Sequence, residues 1–72
     1  MINTKELKKL LIDKDLRIRD VAAYIEKSYS NTLLKLNGKA PMSLDEAEKI
    51  QFLLGIRDSD FGFYFFNHER VL

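Results

Sequence analysis

The chain contains no cysteine, only one histidine and no long apolar stretch. Without cysteine it has neither disulfides nor thiolate metal sites, and nothing indicates an oxidising compartment. No apolar run approaches the roughly 20 residues of a membrane-spanning helix, and residues 1–6 lack the basic-then-apolar order of a secretion signal. We therefore expect a cytoplasmic protein without a membrane partner.

The shortage of histidine and cysteine also argues against an enzyme. His68 has no second histidine or cysteine with which to form a metal site or a nucleophile–base pair. The acidic residues are scattered over helix starts, where they favour the helix dipole. We expect no catalytic residues, no metal, no cofactor and no small-molecule substrate.

The charge is small but unevenly distributed. The net charge is +1, with nine Lys/Arg against five Asp/Glu in residues 1–39 and three against six in residues 40–72. Dedicated DNA-binding domains are usually more basic than this. The charge therefore permits contact with phosphate without requiring it.

The 72 residues predict one domain, 1–72, with a small core, since a chain of this size buries only about 60% of its unfolded surface. Apolar residues recur at helical spacing in five segments. The predicted fold class is a compact, all-α, five-helix domain. The predicted helices cover residues 4–13, 18–26, 29–37, 44–54 and 58–66, followed by a frayed tail at 67–72.

Local signals mark where these helices begin. Asn3, Ser28 and Ser43 are residue types whose side chains accept a backbone N–H at a helix start. Glu6 and Glu46 follow Asn3 and Ser43 by three residues, which predicts a reciprocal capping box at each place.

Two glycines mark where helices end. Gly38 and Gly55 are predicted to take the left-handed conformation that closes the third and fourth helices. The fourth helix is predicted to have one inner face, formed by Leu44, Ala47, Ile50 and Leu54.

Helices two and three are separated by only a few residues, the spacing of a helix-turn-helix. Four segments resemble the Cro and lambda-repressor-like helix-turn-helix family over about residues 4–66: Val21-Ala22, Lys35-Leu36-Asn37-Gly38-Lys39, Ser43-Leu44-Asp45-Glu46 and Leu53-Leu54-Gly55-Ile56. The chain most resembles the small Cro-like proteins of temperate phages of Gram-positive bacteria. The resemblance implies a lambda-repressor-like fold whose third helix enters the major groove of DNA, braced by the second.

The chain departs from the family where DNA contacts are made. Matched to the family, the groove-facing set is Ser28, Tyr29, Ser30, Leu33, Leu34 and Asn37. Leucine cannot hydrogen-bond a base edge and at best touches a thymine methyl group. Arg17 and Ile18 stand where the family often shows a cap and a phosphate-binding Gln, and Glu26-Lys27 replaces the usual Gly of the turn.

The sequence does not determine how the third helix is rotated about its own axis. Thr32 occupies the position that usually plugs the core, but a small rotation would bury Leu33 in its place. Leu34 lies roughly opposite Leu36 on the helix, so at least one leucine is expected to face outward.

An apolar reading helix suits a protein partner better than DNA, because aromatic and aliphatic anchors dominate protein interfaces. With the resemblance, this predicts an antirepressor of a phage genetic switch in the host bacterial cytoplasm, binding the N-terminal DNA-binding domain of the cognate phage repressor. The predicted partner-binding residues are Tyr29, Ser30, Leu33, Leu34, Asn37 and Lys39.

Two other functions remain in view. One is a Cro-like, sequence-specific DNA-binding repressor, for which Arg17, Lys35 and Lys39 are candidate phosphate contacts that also allow weak DNA binding alone or beside the repressor. The other is a dimerisation module held by the aromatic tail. Phe61, Phe65 and Phe66 either close the small core or form that dimer interface, and we favour the core.

Overall fold

The computed structural model describes residues 2–66 and contains five α-helices and one 3₁₀ turn within that range. The all-helical prediction is confirmed, and most helix ends lie within one residue of their predicted positions. The helices are α1 (Thr4–Asp13), α2 (Ile18–Ile25), α3 (Tyr29–Leu36), α4 (Leu44–Leu54) and α5 (Phe61–Phe65), with the 3₁₀ turn at Asp58–Asp60 before α5. The tail predicted at 67–72, which includes His68, lies outside the described residues.

Four of the predicted end signals act as expected. The side chain of Ser28 accepts the Asn31 N–H at 3.1 Å, so it caps α3. Ser43 and Glu46 form a complete capping box at α4, with hydrogen bonds of 3.1 and 2.9 Å. Gly55 closes α4 with a φ of +66°. Gly38, after α3, has a φ of +71°. Local sequence therefore determines these ends.

The capping prediction for Asn3 is wrong. Its side chain makes no cap hydrogen bond at α1. Instead, the Asn3 backbone N–H donates to the Tyr64 carbonyl at 2.8 Å, and its side-chain amide donates to the Phe63 carbonyl at 3.4 Å. Glu6 forms an ion pair with Lys9 one turn later. Asn3 therefore joins the start of α1 to α5.

One apolar core holds the helices together. The α2 helix packs against both α3 and α4, and α1 contacts α3 and α5. The buried side chains of this core come from all five helices and from Ile56, just after α4: Leu7, Leu11, Val21, Ile25, Leu36, Ala47, Ile50, Leu54, Ile56 and Phe65. Within residues 2–66 the longest helix has 11 residues, and none is long and apolar enough to cross a membrane.

One member of the predicted inner face of α4 does not lie in the core. Ala47, Ile50 and Leu54 are buried as predicted, but Leu44 is 62% exposed. Leu44 is the first residue of α4 and precedes the packed part of the helix. The prediction was wrong for this residue because helical spacing identifies a face of the helix but not the position along it at which packing begins.

The aromatic segment at 61–66 closes the core, as favoured by the sequence. Phe65 is buried, and Phe61 packs against the core. Phe66 is 50% exposed. The turn before α5 is held by Gln51, whose side-chain amide donates to the Ile56 carbonyl at 3.1 Å and to Asp58 Oδ1 at 2.7 Å.

Candidate functional site

The outer face of α3 brings together five of the six residues predicted to bind a partner. At about 100° per residue, these five occupy one arc of about 140° on the helix. We call them the α3 surface: Tyr29, Ser30, Leu33, Leu34 and Asn37. Lys39, the sixth, follows Gly38 just beyond the helix and is exposed.

Three of the five side chains of the α3 surface are aromatic or aliphatic. Tyr29 is 54% exposed and Leu34 is 43% exposed. Leu33, four residues after Tyr29, is half-buried, and among the described residues it is not one of the side chains packed against the core. Ser30 and Asn37 supply the polar groups beside these three side chains.

Thr32 occupies the core position on α3, so the rotation left open by the sequence is resolved. Its side chain is 0% exposed, and Leu36 beside it is also buried. The Thr32 hydroxyl donates to the Ser28 carbonyl at 2.8 Å, one turn earlier in the same helix. Because this hydrogen bond satisfies the hydroxyl locally, burial of Thr32 leaves no unpaired polar group.

Lys35, a candidate phosphate contact, is directed toward α4. Its ammonium group forms an ion pair with the carboxylate of Glu46 on α4, and its side chain is only 16% exposed. Lys35 as a phosphate contact therefore stays a prediction, and phosphate would have to compete with this ion pair. The neighbouring carboxylate offsets the charge of Lys35 and repels phosphate.

The side chain of Glu46 is almost fully buried. Its carboxylate accepts hydrogen bonds from the Lys35 ammonium group and the Ser43 backbone N–H, and its own backbone N–H donates to the Ser43 hydroxyl. Burial alone raises the pKa of Glu46, but hydrogen bonds from Lys35 and Ser43 outweigh this effect and hold the pKa below its ordinary value of 4.5. Glu46 is therefore ionised at neutral pH. It caps α4 and binds α3 at the same time.

The other predicted phosphate contact lies at the start of α2. Arg17 is exposed, and its backbone N–H donates to Asp20 Oδ2 at 2.8 Å. Ile18, next to it, packs against the core. The isoleucine found where the family often has a phosphate-binding Gln therefore serves the interior of this protein.

A second apolar surface was not predicted from the sequence. A groove of about 230 Å³ lies between the start of the chain, the loop before α4 and the end of α5. Its apolar lining is formed by Ile2, Met42, Leu44, Ala47, Phe65 and Phe66. These residues come from distant parts of the sequence, so no local pattern marks the groove.

The described residues were searched for a metal site and for unpaired buried polar groups. Within residues 2–66, no group of three His, Cys, Asp or Glu side chains is placed to hold a metal ion. Each buried side-chain nitrogen or oxygen in that range has a hydrogen-bond partner. The α3 surface is therefore the exposed, largely apolar part of this helix, and it also carries the polar side chains of Ser30 and Asn37.

Comparison with known proteins identifies no family for this chain. No family model, no curated protein and no solved structure matches it. The resemblance to Cro-like proteins therefore stays a prediction based on the residues quoted above.

Proposed function

We propose that this protein is an antirepressor of a phage genetic switch, which binds the N-terminal DNA-binding domain of the cognate phage repressor through the α3 surface. The observation that carries the proposal is the exposure of Tyr29 and Leu34 on a helix placed, by sequence resemblance, as the DNA-reading helix. Covering the repressor's own DNA-binding region would relieve repression. The contact that provides the affinity would therefore also provide the function.

The chemistry of the α3 surface favours protein over DNA. Direct reading of bases needs side chains that match donors and acceptors in the major groove, and neither Leu33 nor Leu34 can do this. Tyrosine and leucine instead supply apolar area, and Tyr is enriched among the residues that dominate binding energy at protein interfaces. The centre of the α3 surface is therefore suited to a protein pocket.

The border of the α3 surface completes an interface of this kind. Ser30, Asn37 and Lys39 can form hydrogen bonds at the rim, where polar groups are tolerated without contributing much affinity. Lys35 is occupied by Glu46 and does not add positive charge to this face. That arrangement reduces the attraction to phosphate on which non-specific DNA binding depends.

A Cro-like DNA-binding repressor is the second candidate. The exposed Arg17 and Lys39 favour it, because both are available for phosphate, and Asn37 can reach a base edge. For the antirepressor, we expect the isolated protein to bind DNA only in the non-specific range, about 10⁻⁴–10⁻⁶ M at physiological salt.

The test uses a substitution on the α3 surface and a matched control elsewhere. Leu34→Glu should weaken binding to the repressor domain by more than about 2 kcal/mol if Leu34 is an anchor. Ile12→Glu, at an aliphatic residue on α1 that is 77% exposed, should leave the affinity unchanged. Affinities for the repressor domain and for operator DNA are measured separately at one stated salt concentration, with thermal melting to confirm folding.

Three results would overturn the proposal. A folded Leu34→Glu variant with full affinity for the repressor would exclude the α3 surface as the contact. Equal losses in Leu34→Glu and Ile12→Glu would indicate a general effect of added charge. Tight, sequence-dependent DNA binding by the protein alone would favour the Cro-like repressor.

A further inference from the structure

The outer face of α1 carries a basic stripe that ends in an aliphatic residue. Lys5, Lys8 and Ile12 follow one another at i, i+3 and i+7, so they occupy an arc of about 60° on the helix. All three are exposed, and Ile12 is 77% exposed. We call these three residues the α1 stripe.

The outer face of α4 carries a stripe with the same spacing and the opposite charge. Asp45, Glu48 and Phe52 also follow one another at i, i+3 and i+7, and all three are exposed. Phe52 is 79% exposed, the highest value among the large apolar side chains of the described residues. We call these three residues the α4 stripe. Each stripe is about 10 Å long, since a helix rises about 1.5 Å per residue.

The charges of both stripes are available to a partner. Within residues 2–66, no ion pair involves Lys5, Lys8 or Glu48. Asp45 pairs with Lys49 on its own helix at 3.4 Å, but the side chain of Asp45 is 77% exposed. Exposed pairs of this kind contribute little free energy, so Asp45 can exchange its partner for another cation at small cost.

We propose that the α1 stripe of one molecule docks on the α4 stripe of a second copy of this chain, with the two helices parallel. In this register both lysines face carboxylates, and the isoleucine faces the phenylalanine. The spacing i, i+3, i+7 is the one at which residues of two packed parallel helices meet. Antiparallel packing would instead place Ile12 against Asp45.

The charge distribution of the chain supports a second copy as the partner. Residues 1–39, which contain α1, have nine Lys/Arg and five Asp/Glu, and residues 40–72, which contain α4, have three and six. Two copies can therefore align the basic part of one with the acidic part of the other. Within one molecule both stripes face solvent, so they do not neutralise each other.

The contact is small and therefore weak. Three side chains on each copy bury less than the roughly 1,200 Å² of a stable interface, so we expect a dissociation constant of about 0.1–1 mM. The two stripes are different surfaces, so the contact is heterologous and can continue to a third copy.

This contact uses no residue of the α3 surface, so it is independent of the proposed function. At micromolar concentrations, where binding to a repressor domain is measured, the protein stays monomeric. Ile12→Glu therefore remains a valid control for repressor binding.

A dilution series followed by nuclear magnetic resonance locates the contact and measures its strength. From about 1 mM downward, the backbone amide resonances of residues 5–12 and 45–52 should shift with concentration and fit one dissociation constant. The resonances of the α3 surface should not shift. Added salt should weaken the association, because it screens exposed charges.

Charge reversal in the middle of each stripe tests the pairing directly. Lys8→Glu and Glu48→Lys should each weaken self-association by about fivefold or more, since like charges then face each other. An equimolar mixture of the two variants should restore the wild-type strength. In the mixture, each variant meets the complementary charge on the other, through either the reversed pair or the original pair.

Lys27→Glu is the matched control. It makes the same charge change at an exposed lysine in the turn between α2 and α3, so the dissociation constant should stay unchanged. An effect equal to that of Lys8→Glu would assign the association to net charge and overturn the proposed contact.

Three further results would contradict the proposal. Resonances that do not shift up to about 1 mM would show that the stripes are only solvated. A mixture as weak as its two components would show that residues 8 and 48 do not face each other. Shifts confined to residues 61–66 would place self-association at the aromatic segment. Because no repressor enters this assay, none of these results bears on the antirepressor proposal.

Discussion

The rings of Phe61 and Phe65 stack with their centroids 4.7 Å apart and 30° between their planes. The two residues lie one turn apart on α5, so the same helical spacing that joins them also points both toward the core. Phe65 is buried beneath Phe61 in this arrangement. Phe66, the next residue, is half exposed, and its ring centroid lies 5.9 Å from that of Phe61 with 55° between the planes.

This relationship predicts unequal effects within the aromatic segment. Phe65→Ala should lower the free energy of unfolding by about 3–5 kcal/mol, because it removes a stacked ring and leaves a cavity. Phe66→Ala should cost about 1 kcal/mol or less, because half of that side chain is already in water. Urea denaturation of both variants checks this, and similar losses would show that α5 closes the core differently.

Glu46 predicts a specific dependence of stability on pH. Its pKa is lower in the folded than in the unfolded protein, so its ionised form stabilises the fold above about 4.5, and this contribution is lost as the pH falls through the lower folded value. Glu46→Gln should cost about 1–3 kcal/mol at pH 7, since it removes the charge from a buried hydrogen-bonded pair.

The difference between the two proteins isolates Glu46 from the other carboxyl groups. Urea denaturation at pH 7, 5 and 3 should show the gap between wild type and Glu46→Gln shrinking toward pH 3, because wild-type Glu46 is then increasingly protonated. A gap that is constant over this range would mean that the charge of Glu46 does not contribute to stability.

Glu26 predicts a stabilising substitution. It ends α2 with a φ of +59°, a left-handed conformation that costs a residue with a side chain roughly 1–2 kcal/mol. Glu26→Gly removes this cost but gives the unfolded chain more freedom, so the expected net gain is about 0.5–1 kcal/mol.

Glu26→Ala is the matched control for this substitution. It removes the same charged side chain but keeps the β-carbon that makes a positive φ unfavourable, so no gain is expected. The melting temperatures of the two variants are compared at equal concentration. An equal increase in both would assign the effect to the charge of Glu26.

Helix capping predicts that substitutions at two helix starts lower the stability by different amounts. Ser43→Ala should lower stability by about 1 kcal/mol, because Ser43 caps α4 with its side chain. Asn3→Ala should cost about 0.5 kcal/mol or less, because its short hydrogen bond to Tyr64 comes from the backbone and survives the substitution. A larger loss for Asn3→Ala in urea denaturation would assign a capping role to Asn3 after all.

The sequence predicts most of this fold because its signals are local. Ser28 and Ser43 accept hydrogen bonds from residues three positions away, and Gly55 acts through its own φ. Asn3 is also a typical capping residue. Its N–H groups, however, donate to carbonyl groups about sixty positions later in the chain. This competition between a local and a distant hydrogen-bond partner arises only in the assembled fold, so a short stretch of sequence does not reveal it.

The candidate site likewise has features that the sequence predicts and features that depend on the assembled fold. The grouping of Tyr29, Leu33 and Leu34 on one side of α3 follows from helical spacing and was predictable. The withdrawal of Lys35 was not, because Glu46 lies on another helix and its own spacing from Ser43 already explains it as a capping residue. The choice of Thr32 over Leu33 for the core was likewise open until the helices were assembled.

The backbone hydrogen bond between Asn3 and Tyr64 joins the start of α1 to α5, which has a consequence for local unfolding. Opening α5 breaks this contact, so we expect the start of α1 to open with it. The centre of the protein, where α2 packs against α3 and α4, does not depend on that contact. Because α1 contacts α3 as well as α5, that opening should also remove part of the packing that supports α3.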